Sequence, residues 1–155
     1  MFNLSKIFVT LFYIGYSNII PGTIGSFFAF IIILFAHTLL DLIYFYILFA
    51  ICFVLSLYLI KIYQETINKN DPSEIVVDEF LGVFTIFLFF DNFDKLNFYT
   101  ICIIGFILFR MFDVLKPFPI NWIDKKIKNS FGVIFDDIVA GIYSSVCLLI
   151  INEII

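Results

Sequence analysis

Apolar positions in this chain gather into long, nearly unbroken runs, at 27–40, 42–62, 80–90, 98–115 and 138–151. Crossing a bilayer takes about 20 residues of helix, so the second and fourth runs qualify on apolar length alone. The third is extended by its flank. Asp71-Pro72-Ser73-Glu74 has Asp as N-cap, Pro at the first helical position and Glu three residues after the cap. This predicts a spanning helix from Pro72 to Phe90, with Asp78 and Glu79 one to two turns inside it. The fifth run lengthens in the same way if its helix begins near Val133, which puts Asp136 and Asp137 in the first turn or so. The first run is short, with Pro21-Gly22-Thr23 marking its start, and both a full span and a partial one stay open. Residues 2–16 mix Asn3, Ser5, Lys6 and Thr10 with large apolar side chains. That stretch fits an interfacial amphipathic helix or a helix packed on the bundle. The expectation is therefore an all-α membrane bundle of about four to five membrane helices plus an N-terminal interfacial helix. With no repeat or linker, residues 1–155 read as a single domain.

Composition supports lipid as the solvent. Hydrophobic residues make up 63% and charged ones 14%, against roughly 45–50% and 25% in ordinary globular proteins. The net charge of −4 and the lack of a basic stripe argue against nucleic acid as a partner. Cys52, Cys102 and Cys147 lie far apart in apolar runs, without zinc-ligand spacing, and read as small buried hydrophobes.

Charge placement gives a topology. Threading the five runs alternately from a cytoplasmic N-terminus leaves eight of the nine Lys/Arg residues inside and only Lys95 outside, as the positive-inside rule requires. The same threading brings the unusual polar clusters to the cytoplasmic side. These are the 21–26 turn, 71–79, Arg110 with Asp113 and Lys116, and Asp136-Asp137. Ionisable groups at membrane depth are costly and are usually kept for function, so their convergence marks a candidate site.

The residue inventory narrows the chemistry by exclusion. His37 is the one histidine and falls on the opposite side, so neither a histidine phosphatase nor a nucleophile–His–acid triad fits. No Cys stands at short loop spacing from Arg110, and no Walker-type loop occurs. Carboxylates remain: Asp78, Glu79, Asp113, Asp136 and Asp137 can gather hard oxygen ligands for Mg²⁺. Such an ion polarises a phosphoryl oxygen and acidifies a bound water. Arg110, Asp113 and Lys116 follow at i, i+3 and i+6 along one helix face, with Arg suited to bidentate phosphate contacts and Lys to a point charge. Pro117 and Pro119 should stop that helix just past Lys116. Gly22 and Gly25 allow a turn whose backbone N–H groups face an anion at a helix start, and Thr23 in that turn joins the phosphate-binding candidates.

Read in order, these residues resemble the phosphatidylglycerophosphatase A family. The pattern runs PGTIGS at 21–26, DPSEIVVDEFLG at 71–82, LFRMFDVLKPFPI at 108–120 and GVIFDDIVAGIY at 132–143. The resemblance implies Mg²⁺-dependent removal of the terminal phosphate from the phospholipid substrate phosphatidylglycerol phosphate. It also implies a multi-pass protein of the bacterial inner membrane whose active site faces the cytoplasm. Carried over block by block, Asp78 with Glu79 and Asp136 with Asp137 match the family's acidic pairs and supply the expected metal ligands. Arg110, Asp113 and Lys116 match its R-x-x-D-x-x-K block. The short spans leave room for a homo-oligomer in which helices shelter one another. The competing readings are a small transporter or channel using intramembrane carboxylates, and a non-catalytic subunit docking a partner on its charged face. The transporter predicts polar residues through the whole membrane depth, whereas 31–35 and 48–55 are almost wholly apolar.

Overall fold

A computed structural model describes residues 2–70, 72–89 and 95–154. Its described residues are helical, without strands, in the order α1 (Phe2–Val9), a 3₁₀ turn (Ile14–Tyr16), α2 (Pro21–Leu39), α3 (Leu42–Ile67), α4 (Val77–Phe87), α5 (Phe98–Leu115), α6 (Ile120–Lys126) and α7 (Ser130–Ile154). Four of these, α2, α3, α5 and α7, are long and apolar enough to cross a membrane. Their outer faces carry large exposed hydrophobics such as Phe35, Ile43, Val54, Ile107 and Ile150, a surface suited to lipid contact and not to water.

The first run is lengthened at its start. Pro21 occupies the first helical position after Ile20, which adopts a left-handed φ of 46°, and the resulting 19 residues are enough to span. The fifth run is lengthened too. Asn129 accepts the Gly132 N–H at 3.0 Å through its side chain, so α7 begins at Ser130 and not near Val133. Asp136 and Asp137 consequently sit in the second turn, both buried.

The third run departs from expectation. Its helix starts at Val77 and has 11 residues, about 16 Å at 1.5 Å per residue, well short of the ~30 Å hydrocarbon core. Tertiary contacts override the local capping pattern. Pro72, Ser73 and Glu74 form a turn closed by Ile75 N–H to Pro72 O at 3.0 Å. Val76 N–H donates to Val9 O at the end of α1 (3.0 Å). Glu74, expected to help cap a helix, instead accepts a hydrogen bond from the buried Tyr63 hydroxyl at 3.1 Å. Asp71, the expected N-cap, and Phe90 lie outside the described residues.

α4 is a central post, enclosed by the longer helices, with eight buried residues from Val77 to Phe87. Gly82 and Gly141 permit its close approach to α7. A Cβ on Gly141 would collide with the Gly82 carbonyl, and one on Gly82 would meet the Phe109 ring and the Asp137 carbonyl. Small residues bring helix backbones together in this way. Beyond the glycines the core is aromatic, with Phe45 and Phe84 ring centroids 4.6 Å apart. His37 packs edge-on against Phe45 at the far end of α2. At the N-terminus, α1 lies on α3 with Phe2 stacked on Tyr63. Left-handed residues Leu11, Phe12 and Tyr13 turn the chain back toward α2.

Candidate active site

The alternate threading of α2, α3, α4, α5 and α7 sets the start of α2, the end of α3, the start of α4, the end of α5 and the start of α7 at one end of the bundle. There the start of α2, the 72–75 turn, the start of α4, the end of α5, the 124–128 segment and the start of α7 enclose a cavity of about 290 Å³. α4 contributes Asp78 and Glu79 from its first turn, where negative charge is favoured by the helix dipole. α5 contributes Arg110 and Asp113, its C-cap contributes Lys116, and α7 contributes Asp136 and Asp137.

One oxygen from each of Asp78, Glu79 and Asp137 can be chosen so that all three lie within 4.8 Å of one another. Gly22 makes room for this arrangement, because a Cβ there would strike Glu79 Oε1. Glu79 Oε2 is buried and has no hydrogen-bond partner among the described residues. Beside the cluster, Arg110 Nη1 contacts Asp113 Oδ2 at 2.6 Å and donates to Ser26 Oγ at 3.1 Å. Ser26 in turn donates to Gly22 O at 2.7 Å. Arg110 Nε is likewise buried and unpartnered among the described residues.

Lys116 closes another wall. As the α5 C-cap it is left-handed, with φ 43°, and its ammonium donates to Asp136 Oδ2 at 2.8 Å and Asp124 Oδ1 at 2.9 Å. Burial works against its charge, but the hydrogen bonds and attraction of Asp136 and Asp124 outweigh it and hold the ammonium above the ordinary lysine value. Its stabilising contribution is therefore complete below that ordinary value and lost only as pH rises through the raised one. Lys116 stays charged throughout the neutral range.

All the sequence-predicted site residues except Thr23 line this cavity. Gly22 lies on the wall and Ser26 bonds to Arg110, as residues i and i+4 of one helix face do. Thr23, one residue round the helix from Gly22, is off it. Asp136 stands apart from the three-carboxylate cluster, tied to Lys116, although its Oδ1 is buried without a partner among the described residues. Sequence reasoning missed Ser26, Asp124 and Lys128. The i, i+4 spacing of Gly22 and Ser26 was the available signal for the first. Asp124 comes from α6 and Lys128 from just past its end, a segment to which the sequence reading assigned no role.

The donor set fits a hard divalent cation. Among the described residues, the cavity wall sets Asp78, Glu79, Asp113, Asp124, Asp136 and Asp137 against only Arg110, Lys116 and Lys128. This excess of carboxylate would repel a phosphate unless a cation offset it, and oxygen-only ligands suit Mg²⁺.

Known proteins resemble this chain over most of its length. A family model described as Phosphatidylglycerophosphatase A matches residues 7–152. A Haemophilus influenzae protein named phosphatidylglycerophosphatase A is 36% identical over 132 residues, covering 85% of this chain and 78% of the relative. An Escherichia coli protein of the same name is 31% identical over 143 residues, covering 90% and 78%. A Bacteroides thetaiotaomicron protein, provisionally named a phosphatidylinositol-3-phosphatase, is 32% identical over 144 residues, covering 91% and 89%. No solved structure shows a significant match.

Proposed function

Because this chain belongs to the phosphatidylglycerophosphatase A family and is a phosphatase, we propose that it hydrolyses phosphatidylglycerol phosphate to phosphatidylglycerol and phosphate, with Mg²⁺, at the cytoplasmic face of a bacterial inner membrane. The observation that carries this reading is the cluster of Asp78, Glu79 and Asp137 oxygens within 4.8 Å, beside Arg110 and Lys116 in one cavity.

Asp78, Glu79 and Asp137 would hold the ion, while Asp136 stays tied to Lys116. When bound, Mg²⁺ supplies Lewis-acid stabilisation of charge on the phosphoryl oxygens. The remaining work belongs to the chain. Arg110 is held by Asp113 and Ser26 through Nη1, which aligns the guanidinium on the cavity wall to bind a phosphoryl oxygen. Lys116, fixed between Asp124 and Asp136, adds a second positive charge opposite. Holding both cations before the substrate arrives is the preorganisation that lowers a charged transition state. Hydrolysis breaks the bond between phosphorus and the headgroup oxygen. Water supplies the new oxygen on phosphorus, and the departing glycerol oxygen takes up a proton. A carboxylate nucleophile would add a phospho-aspartyl stage before water enters; rapid acid quench with ³²P-labelled substrate separates the two routes by whether label stays on the protein.

Eight of nine basic residues lie toward the cavity end, which supports a cytoplasmic site. The apolar faces of the four long helices keep that site at the membrane surface, where a lipid headgroup lies. The substrate assignment is tested by phosphate release from phosphatidylglycerol phosphate and from phosphatidylinositol 3-phosphate by the detergent-purified protein. Faster turnover of phosphatidylglycerol phosphate is expected. A preference for the inositol lipid would move the assignment to that substrate, and no release from either would refute the phosphomonoesterase reading.

A further inference from the structure

The polar cavity is not the only concavity beside Arg110. Between α2 and α5 runs a groove of about 410 Å³, walled by Phe27, Ile31 and Leu34 on one side and Ile103, Phe106 and Ile107 on the other. It shares Ile31 and Leu34 with a second depression of about 340 Å³ that reaches Phe35, Thr38 and Phe98. Together they follow α2 from Phe27 to Thr38, about 16 Å at 1.5 Å per residue, or roughly half of a ~30 Å hydrocarbon core.

The upper end of the groove adjoins the polar site. Phe27 directly follows Ser26, which accepts the Arg110 hydrogen bond, and Ile107 lies one helical turn before Arg110 on α5. The floor is fixed by the Phe106 ring, set edge-on to Phe30 at 5.6 Å and to Phe27 at 6.3 Å. The rim is open, with Ile31 about half exposed and Ile103 62% exposed on the lipid-facing surface. A ligand matching both halves has an anionic head and an aliphatic tail on one molecule, and it can enter sideways from the bilayer.

We propose that this groove seats one acyl chain of the phospholipid whose phosphomonoester occupies the polar cavity. The assignment rests on the phosphatase reading above and adds to it a tail subsite on α2 and α5. Moving an acyl chain from bilayer to groove gains little hydrophobic energy, since the two surroundings are equally apolar. The groove instead fixes the depth and orientation of the lipid, so that its phosphate meets Arg110 in register.

The test fills the groove. Ile103→Trp projects a large ring into it from an exposed position, and Ile43→Trp, 63% exposed on α3 and away from it, is the control. Both are assayed in mixed micelles on long-chain phosphatidylglycerol phosphate and on its dibutyryl analogue. For Ile103→Trp, KM for the long-chain lipid should rise by about five-fold or more while turnover of the dibutyryl analogue is unchanged. Ile43→Trp should change neither. In parallel, long-chain substrate carrying a photoactivatable group on one acyl chain should label α2 and α5, and excess unlabelled substrate should suppress the labelling.

Equal kinetics for Ile103→Trp and wild type would overturn the assignment. Labelling spread evenly over α3 and α7 would do the same, by showing ordinary boundary lipid. Chain-to-chain cross-linking through Cys102, which also lines the groove, in place of lipid adducts would give the groove to a second copy. If wild-type protein releases no phosphate, the phosphatase reading fails and the tail subsite falls with it. If wild type turns over and Ile103→Trp matches it on the long-chain lipid, the tail subsite alone is lost.

Discussion

Carboxylates drawn out of water in an apolar protein are costly unless a cation is near, yet the buried Asp137 and the half-buried Asp78 and Glu79 bring oxygens together within 4.8 Å. The nearby cations are already engaged, Arg110 with Asp113 and Lys116 with Asp124 and Asp136. The acidic residues and their basic neighbours were legible in the sequence because charge is conspicuous in a chain this apolar. Partners were less legible, since they depend on side-chain direction around a helix. Thr23 and Ser26 show the difference. Both occur in the 21–26 block, but only Ser26 accepts from Arg110. Ser26→Ala should lower kcat/KM by about ten-fold, the value of one hydrogen bond to a charged group, while Thr23→Ala stays within about two-fold of wild type. Steady-state kinetics on phosphatidylglycerol phosphate check the pair, and the reverse order would return the phosphate contact to Thr23.

At the scale of elements, apolar length alone located α3 and α5, because lipid imposes a minimum span that sequence displays directly; α7 needed its start extended toward the acidic pair, and the span of α2 was left open. The flanking cap pattern misled for α4, where the run it was meant to extend is a short post enclosed by other helices. Burial in protein and burial in lipid both select apolar residues, so hydropathy does not separate them. The helix start at Val77 was also hidden, because Val76 and Glu74 bond to Val9 and Tyr63, residues remote in sequence. The crossing of α4 and α7 sets the spacing between Asp78 and Glu79 on one side and Asp137 on the other. Gly141→Val should therefore push the helices apart, costing about 1–3 kcal/mol by overpacking and lowering activity more than stability alone explains. Thermal unfolding and phosphate release measured on the same preparation test this. Full activity in that variant would show that the crossing does not position the carboxylates.

For the whole molecule, the chain forms a bundle with a polar end and apolar flanks, and the cytoplasmic orientation we propose rests on its basic residues. Asn68, after α3, marks the cavity end, and Tyr99, at the start of α5, marks the opposite one. In a background with the native cysteines replaced, Asn68→Cys in intact cells should react only with a membrane-permeant thiol reagent. Tyr99→Cys should react with an impermeant one; the inverse pattern would place the site outside the cytoplasm.

The central claim is that the carboxylate cluster on α4 and α7 holds the Mg²⁺ needed to hydrolyse the phosphomonoester. The most direct measurement is phosphate release from phosphatidylglycerol phosphate by wild type and Asp137→Asn. Each is assayed with Mg²⁺ and with chelator, after circular dichroism has shown equal helicity. Wild type should turn over only with Mg²⁺, and Asp137→Asn should lose about a hundred-fold or more in kcat under every condition. Turnover that persists in chelator, or an Asp137→Asn enzyme as active as wild type, would contradict the account.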